Sequence, residues 1–174
     1  AGSTSLLLAL AAVAGQEGAW CALTALPHVG WRAAAEAGLV LDRVAVVPRP
    51  GPDAPAVLGA LVDGFDVLVL GRCPALSERD RRSISSRLRA REAVLLSTDP
   101  WPGAQLVLQA RQRTWDGLGQ GWGHLQAQEL TVSAAGRGAV GTGRSVQVRL
   151  GPVGVQPSVE EQPAVLDAPL LQAV

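Results

Sequence analysis

Apolar positions along this chain change rhythm twice. Leu6, Leu7, Leu8, Leu10 and Val13 lie nearly all round a helix over 4–15, which suits a helix packed on a sheet rather than one facing water, and Gly15 marks its end. Residues 18–24 then read as a buried strand. Pro27 and Gly30 break the chain before a short helix over 31–37 that stops at Gly38. The β-branched run 43–47, bounded by Pro48, predicts a second strand, and 48–55, with four prolines and a glycine, predicts a loop. A helix is expected over Ala54–Gly64. Residues 66–70 form an apolar run of the kind buried on both faces at the centre of a parallel sheet. Ser77 is placed to cap a helix from Glu78 to about Ala90, and 93–97 reads as another buried strand. Strands alternating with helices imply right-handed crossovers and a parallel sheet.

After Pro102 the rhythm becomes that of strands alone. Residues 105–115, 125–135 and 144–150 are joined by glycine-rich links with no room for helices, so three antiparallel strands are expected on one edge of the sheet. Residues 151–174 carry Pro152, Pro157, Pro163 and Pro169 and are expected to form an extended tail, docked on the domain or on a partner. The fold class is therefore α/β, a mainly parallel sheet flanked by helices with C-terminal antiparallel strands, divided as a core over 1–150 and a tail over 151–174.

Composition narrows the function classes. The chain has 174 residues, 48% of them apolar, and zero formal net charge, so it can bury a core and has no bulk charge for a generic polyanion. All 15 basic residues are arginine, and lysine, asparagine, tyrosine and methionine are absent, a bias expected of a high-GC genome. A chain that starts at Ala1 is expected to continue upstream. Cys21 and Cys73 sit in strand-like surroundings and are expected to be buried thiols. The apolar run 6–14 is shorter than the roughly 20 residues that span a bilayer and has no basic segment before it, so a cytoplasmic protein without membrane association is expected.

The start of the chain carries the chemistry. A phosphate loop, G-x-x-x-x-G-K-[ST], needs a lysine for the β- and γ-phosphates and a hydroxyl for Mg²⁺. Gly2 and Thr4 occupy the last recognisable positions, but Ser3 stands where the lysine belongs. The expected site is a vestigial phosphate loop, Gly2, Ser3 and Thr4, with no cofactor and no catalytic residue. His28 and His124 have no ligands at metal spacing, so no metal is expected.

Phosphate-loop helix, alternating strands and a terminal meander, in that order, resemble the RecA-like ATPase core over about 2–150. The chain is similar, more closely, to the short RecA relatives of the ImuA or SulA-like type, through residues 18–24, Pro27, 34–47, 66–70 and 143–150, and its composition resembles that of the actinobacterial branch. That resemblance implies a carboxylate after the strand ending at Leu70, where Gly71 and Arg72 stand, and an acid after the strand ending near Thr24, where Ala25, Leu26 and Pro27 stand. With the lysine, the metal carboxylate and the catalytic acid all missing, ATP hydrolysis is not expected. In the recombinases two loops carry single-stranded DNA, and the second shrinks here to about 98–104, too short to lie along several nucleotides. The strand that should precede the phosphate loop is missing, so an upstream segment or a partner is expected to fill its slot.

The implied function is that of a non-catalytic scaffold in a DNA-damage-induced translesion synthesis complex. Its partners would be an ImuB-type inactive Y-family polymerase homologue and, in the same mutasome, an error-prone replicative-type polymerase, with DNA contacted weakly or indirectly. A SulA-like division inhibitor and a residual nucleotide-binding ATPase are the alternatives. Two surfaces are candidates for the partner. Arg79, Arg82 and Arg89 belong to an arginine-rich helix that is either a solvated face with pairs such as Glu78–Arg82 or an acid-binding surface. Trp115 and Trp122 flank the link 116–121 and either cap the sheet edge or anchor a partner.

Overall fold

The computed structural model describes residues 3–119, 122–136, 144–151, 154–163 and 170–173. Its first half runs α1 (Ser3–Gln16), β1 (Cys21–Thr24), α2 (Trp31–Glu36), β2 (Val44–Val47), α3 (Ala54–Gly64), β3 (Val67–Leu70), α4 (Glu78–Arg91) and β4 (Val94–Ser97). Strands β5 (Leu106–Gly119), β6 (Trp122–Gly136), β7 (Arg144–Gly151), β8 (Gly154–Pro163) and β9 (Leu170–Ala173) follow. The described strands form one sheet in the order β2-β1-β3-β4-β9-β5-β6-β7-β8. Strands β2, β1, β3 and β4 are mutually parallel, with Cys21 beside both Val44 and Val67, and Val67 beside Val94. The fold is α/β, as the alternation of the first half predicts.

Period two along these short strands divides the core into two layers. Cys21, Leu23, Val67 and Val69 face one way, under α1 and Ala34 of α2. Ala22, Leu68, Leu70 and Leu95 face the other, under Leu58, Leu61 and Val62 of α3 and Ile84 and Leu88 of α4. Strands β1 and β3 are consequently buried at every position, whereas β2 is half exposed because it lies at the sheet edge. Helix α1 buries Leu6, Leu7, Leu8, Ala9, Ala11 and Ala12, and its layer continues onto Leu130 and Val132 of β6, so one helix covers part of both halves. Among the described residues no helix is long and apolar enough to cross a membrane.

The expected cap of α4 is present in full. Ser77 Oγ accepts from the Asp80 amide at 3.2 Å, and the Asp80 carboxylate accepts from the Ser77 amide at 3.0 Å and its hydroxyl at 2.6 Å. These bonds hold the Asp80 carboxyl below the usual value of 3.8, the side-chain bond from Ser77 contributing most. At the other end Asp63 of α3 meets Arg87 at 3.3 Å and Arg91 at 3.6 Å. The expected Glu78–Arg82 pair does not form: the arginines that find carboxylates are those facing α3, while Arg82 points away from the buried side of its helix.

The second half departs from expectation in the link between β5 and β6 and in the place of the meander, while the tail docks on the domain, one of its two expected outcomes. Strands β5 and β6 extend to Gly119 and from Trp122, so much of the link 116–121 is strand rather than loop. Residues 154–163 of the expected tail pair with β7 as β8. Residues 170–173 pair antiparallel with both β4 and β5, with Leu96 opposite Ala173 and Val107 opposite Gln172. The meander therefore does not abut the parallel strands directly, and a segment from the expected tail lies between the two halves. Among the tail prolines, Pro152 and Pro169 lie outside the described residues.

At their carboxyl ends the parallel strands are tied one step beyond the ladder. Ala25 N donates to Val47 O, Gly71 N to Thr24 O and Thr98 N to Leu70 O, at 3.1, 2.9 and 3.0 Å. Ala25 adopts φ +56°, a left-handed conformation that costs a non-glycine residue about 1–2 kcal/mol. Its carbonyl then turns toward Gly71, where a Cβ would lie 2.1 Å from Ala25 O and 2.8 Å from a Leu26 methyl. Only glycine fits there.

Two substitutions check this account. Gly71→Ala is expected to cost about 3 kcal/mol, the upper range for overpacking against backbone, read as a lower urea midpoint at unchanged m-value. A loss under about 0.5 kcal/mol would mean that the strand ends can part freely. Ser77→Ala is expected to cost about 1 kcal/mol near pH 7. Because the folded-state pKa of Asp80 is depressed, its contribution is complete above the unfolded value and lost as pH falls through the folded one, so the difference between wild type and Ser77→Ala should shrink below about pH 4.

Candidate functional site at the carboxyl ends of the parallel strands

In open α/β sheets ligands gather outside the carboxyl ends of the strands. Three consequences of the sequence meet there. Leu70 is followed by Gly71, whose environment excludes any side chain, so the position has no space for a metal-binding carboxylate while the Ala25 carbonyl keeps its place. Strand β1 is followed by Ala25, Leu26 and Pro27, which supply no acid. Thr24, at the last position of β1, is 1% exposed and its Oγ1 has no hydrogen-bond partner. Ser3 opens α1 and Thr4 is exposed on its first turn, while Gly2 lies outside the described residues.

The loops that leave β1, β2 and β3 enclose a cleft of about 350 Å³, within the range of small-ligand sites. Its walls include Pro27, Pro48, Pro50 and Pro74, and its cations are Arg49 and Arg72. Among the described residues no carboxylate lines it. Cys73 contributes a buried sulfur, and burial pushes this thiol above its usual range, so it is a neutral, apolar part of the wall near pH 7. Cys21, the other thiol, is also buried, and its Sγ lies 3.6 Å from the Ala11 carbonyl. Thr4 does not line this cleft. Arg72 stands out in the sequence only as a departure from an ATPase pattern, and Pro27 as that, as a chain break and as part of the family resemblance. Arg49 and its neighbouring prolines read as loop, and nothing local to them signals that three loops converge.

The partner-binding candidates lie elsewhere. Arg79, Arg82 and Arg89 are exposed on α4, opposite the buried Ile84, Ser85 and Leu88. Arg82 and Arg89, seven residues apart, share a face. Trp115 is 47% exposed on β5 opposite Gln128, well inside the strand rather than at its tip, and Trp122 begins β6 opposite Gly119. The structure thus does not bring the arginines and the tryptophans together as members of one element. Missed by the sequence reading is Trp101, 3% exposed, in the loop after β4. Its indole Nε1 donates to Ser85 Oγ at 2.7 Å, Ser85 Oγ donates to the Arg81 carbonyl at 2.9 Å, and the Arg81 guanidinium lies 5.0 Å from the ring centre. The loop expected to be too short for DNA is also pinned to α4. Among the described residues no group of three or more His, Cys, Asp or Glu side chains is placed to hold a metal.

Comparison with known proteins assigns the chain to a family without assigning it a chemistry. Over 151 residues it is 35% identical to the uncharacterized protein Rv3395c of Mycobacterium tuberculosis (strain ATCC 25618 / H37Rv), a match that covers 86% of this chain and 68% of the relative. Residues 1–103, which hold α1 through β4 and all three loops of the cleft, match the family model described as the MT3502 N-terminal domain. On that match, which covers more than half of its length, the chain belongs to the MT3502 N-terminal domain family.

Proposed function

We propose that this protein is an ImuA-type accessory factor, a scaffold without catalysis that supports damage-induced translesion synthesis by binding an ImuB-type inactive polymerase homologue. The observation that carries the reading is the contact at Gly71. A RecA-type catalytic centre needs a carboxylate after this strand, and here the backbone of the neighbouring loop fills the space that its side chain would take. Ser3 in place of the phosphate lysine and the absence of an acid after β1 point the same way. A chain that keeps the layered α/β core while lacking these groups presents surfaces for binding rather than a reaction centre. Arg79, Arg82, Arg89, Trp115 and Trp122 remain the partner-binding residues proposed outside the cleft, with the error-prone replicative-type polymerase reached through the polymerase homologue and DNA through the assembled complex. An actinobacterial protein is the source this reading implies, and the mycobacterial relative is in keeping with it.

Purified full-length protein is expected to co-purify with the ImuB-type homologue from the same genome, and to show a melting shift of less than about 1 °C with millimolar ATP and Mg²⁺. Stoichiometric nucleotide binding, or ATP turnover abolished by Thr4→Ala, would refute the reading. So would failure of the two proteins to associate at micromolar concentration.

A further inference from the structure

The cleft over β2, β1 and β3 has a composition that selects among anions. Phosphate sites in α/β proteins are usually built from consecutive backbone amides. Four of the described residues around this cleft are prolines, which have no amide proton and interrupt its loops, so few consecutive amides are left for such a nest. Recognition of an anion therefore falls to side chains. Arg49 and Arg72 are exposed and, unlike Arg32, Arg87, Arg91 and Arg149, have no ion pair in the described structure. A guanidinium presents a planar fork that matches a carboxylate with two parallel hydrogen bonds. The proline rings, Ala25, Ala75 and the neutral Cys73 thiol supply apolar walls beside those forks. Fixed walls matter, because proline loops have little conformational entropy to lose when a ligand seats. Ala25, held at φ +56°, and Thr24, with its buried unpartnered hydroxyl, place local strain and an unmet polar group at the same strand end.

We infer that the cleft bounded by Pro27, Pro48, Pro50 and Pro74 is a docking site for a protein partner, taking an extended apolar peptide segment whose carboxylate is held by Arg49 and Arg72. Charge complementarity commits the occupant: two unpaired cations, no anion among the described lining residues, and walls that favour aliphatic or proline side chains over a hydrated polyphosphate. The site is separate from the surfaces of α4 and β5 and does not depend on which protein supplies the peptide.

The test is selection of random dodecapeptides by phage display on the intact chain, with counter-selection on the Arg49→Glu/Arg72→Glu double variant. Recovered peptides are expected to carry Asp or Glu next to aliphatic residues or proline. Synthetic copies, made as free acids and as amides to separate side-chain from terminal carboxylates, should lose about tenfold in affinity when Asp or Glu becomes Asn or Gln, and similarly when either arginine is reversed. Arg32→Glu, on the exposed face of α2 and outside the cleft lining, should leave affinity unchanged, which separates the cleft from a general charge effect. Should the double variant fold poorly, a photoreactive peptide on the wild-type chain is expected to label residues 48–51 or 72–75. Failure to enrich any peptide, enrichment without a carboxylate, labelling elsewhere, an equal loss on reversing Arg32, or displacement by inorganic phosphate and not by acetate would each overturn the inference. Association with the ImuB-type homologue is measured separately, so a peptide site without that association, or the association with an intact affinity in Arg49→Glu/Arg72→Glu, tells the two proposals apart.

Discussion

The approach of the Ala25 carbonyl to Gly71 governs the whole carboxyl end of the parallel strands. It is possible because Ala25 accepts a left-handed backbone at a cost of about 1–2 kcal/mol, repaid by hydrogen bonds that continue the ladder past Thr24 and Leu70. Once made, it fixes the direction in which the chain leaves β1 and brings Pro27 beside the loop that leaves β3. The cleft and the missing carboxylate position are two faces of this one contact. A side chain at position 71 and the present course of the β1 loop are mutually exclusive.

Much of the first half was legible because its signals are local. Four-residue strands buried on both faces must be apolar throughout, and 66–70 announces that directly. The capping box at Ser77 and Asp80 is written within four residues, and the boundaries of α3 are set by the prolines before it and the glycine at its end. Helix α1, apolar nearly all round, is buried over most of its length because one side meets the parallel strands and its layer continues onto β6. In contrast, β9 is four residues beside Pro169, with no turn signal to tie it to a neighbour. Its partners, β4 and β5, lie more than sixty residues earlier, so its place in the sheet is a tertiary choice that no local pattern encodes.

The functional surfaces divide in the same way. The residues that follow β1 and β3 could be read position by position, because each stands at a fixed place after a strand. The cleft could not, since it draws Arg49 and Arg72 from loops that only the sheet order β2-β1-β3 brings together. Trp101 shows a related limit. In sequence it stands between two prolines in a loop, and only packing reveals that its ring closes the layer under α4 and that its nitrogen finds Ser85. The expected Glu78–Arg82 pair failed for the converse reason: a favourable spacing on an exposed helix face gains too little to hold two long side chains together, while Asp63 offers Arg87 and Arg91 a fixed partner on a neighbouring helix.

The position of β9 bears on how the molecule is assembled in time. Of the described strands it leaves the ribosome last, yet it forms the seam on which the sheet's continuity depends. Until it emerges, β4 and β5 each present an unpaired border of backbone amides and carbonyls to solvent, and loop closure over so long a separation is slow. A chain without β9 would leave both of those borders open at once, so four residues near the end of the sequence close the two halves of the sheet onto each other.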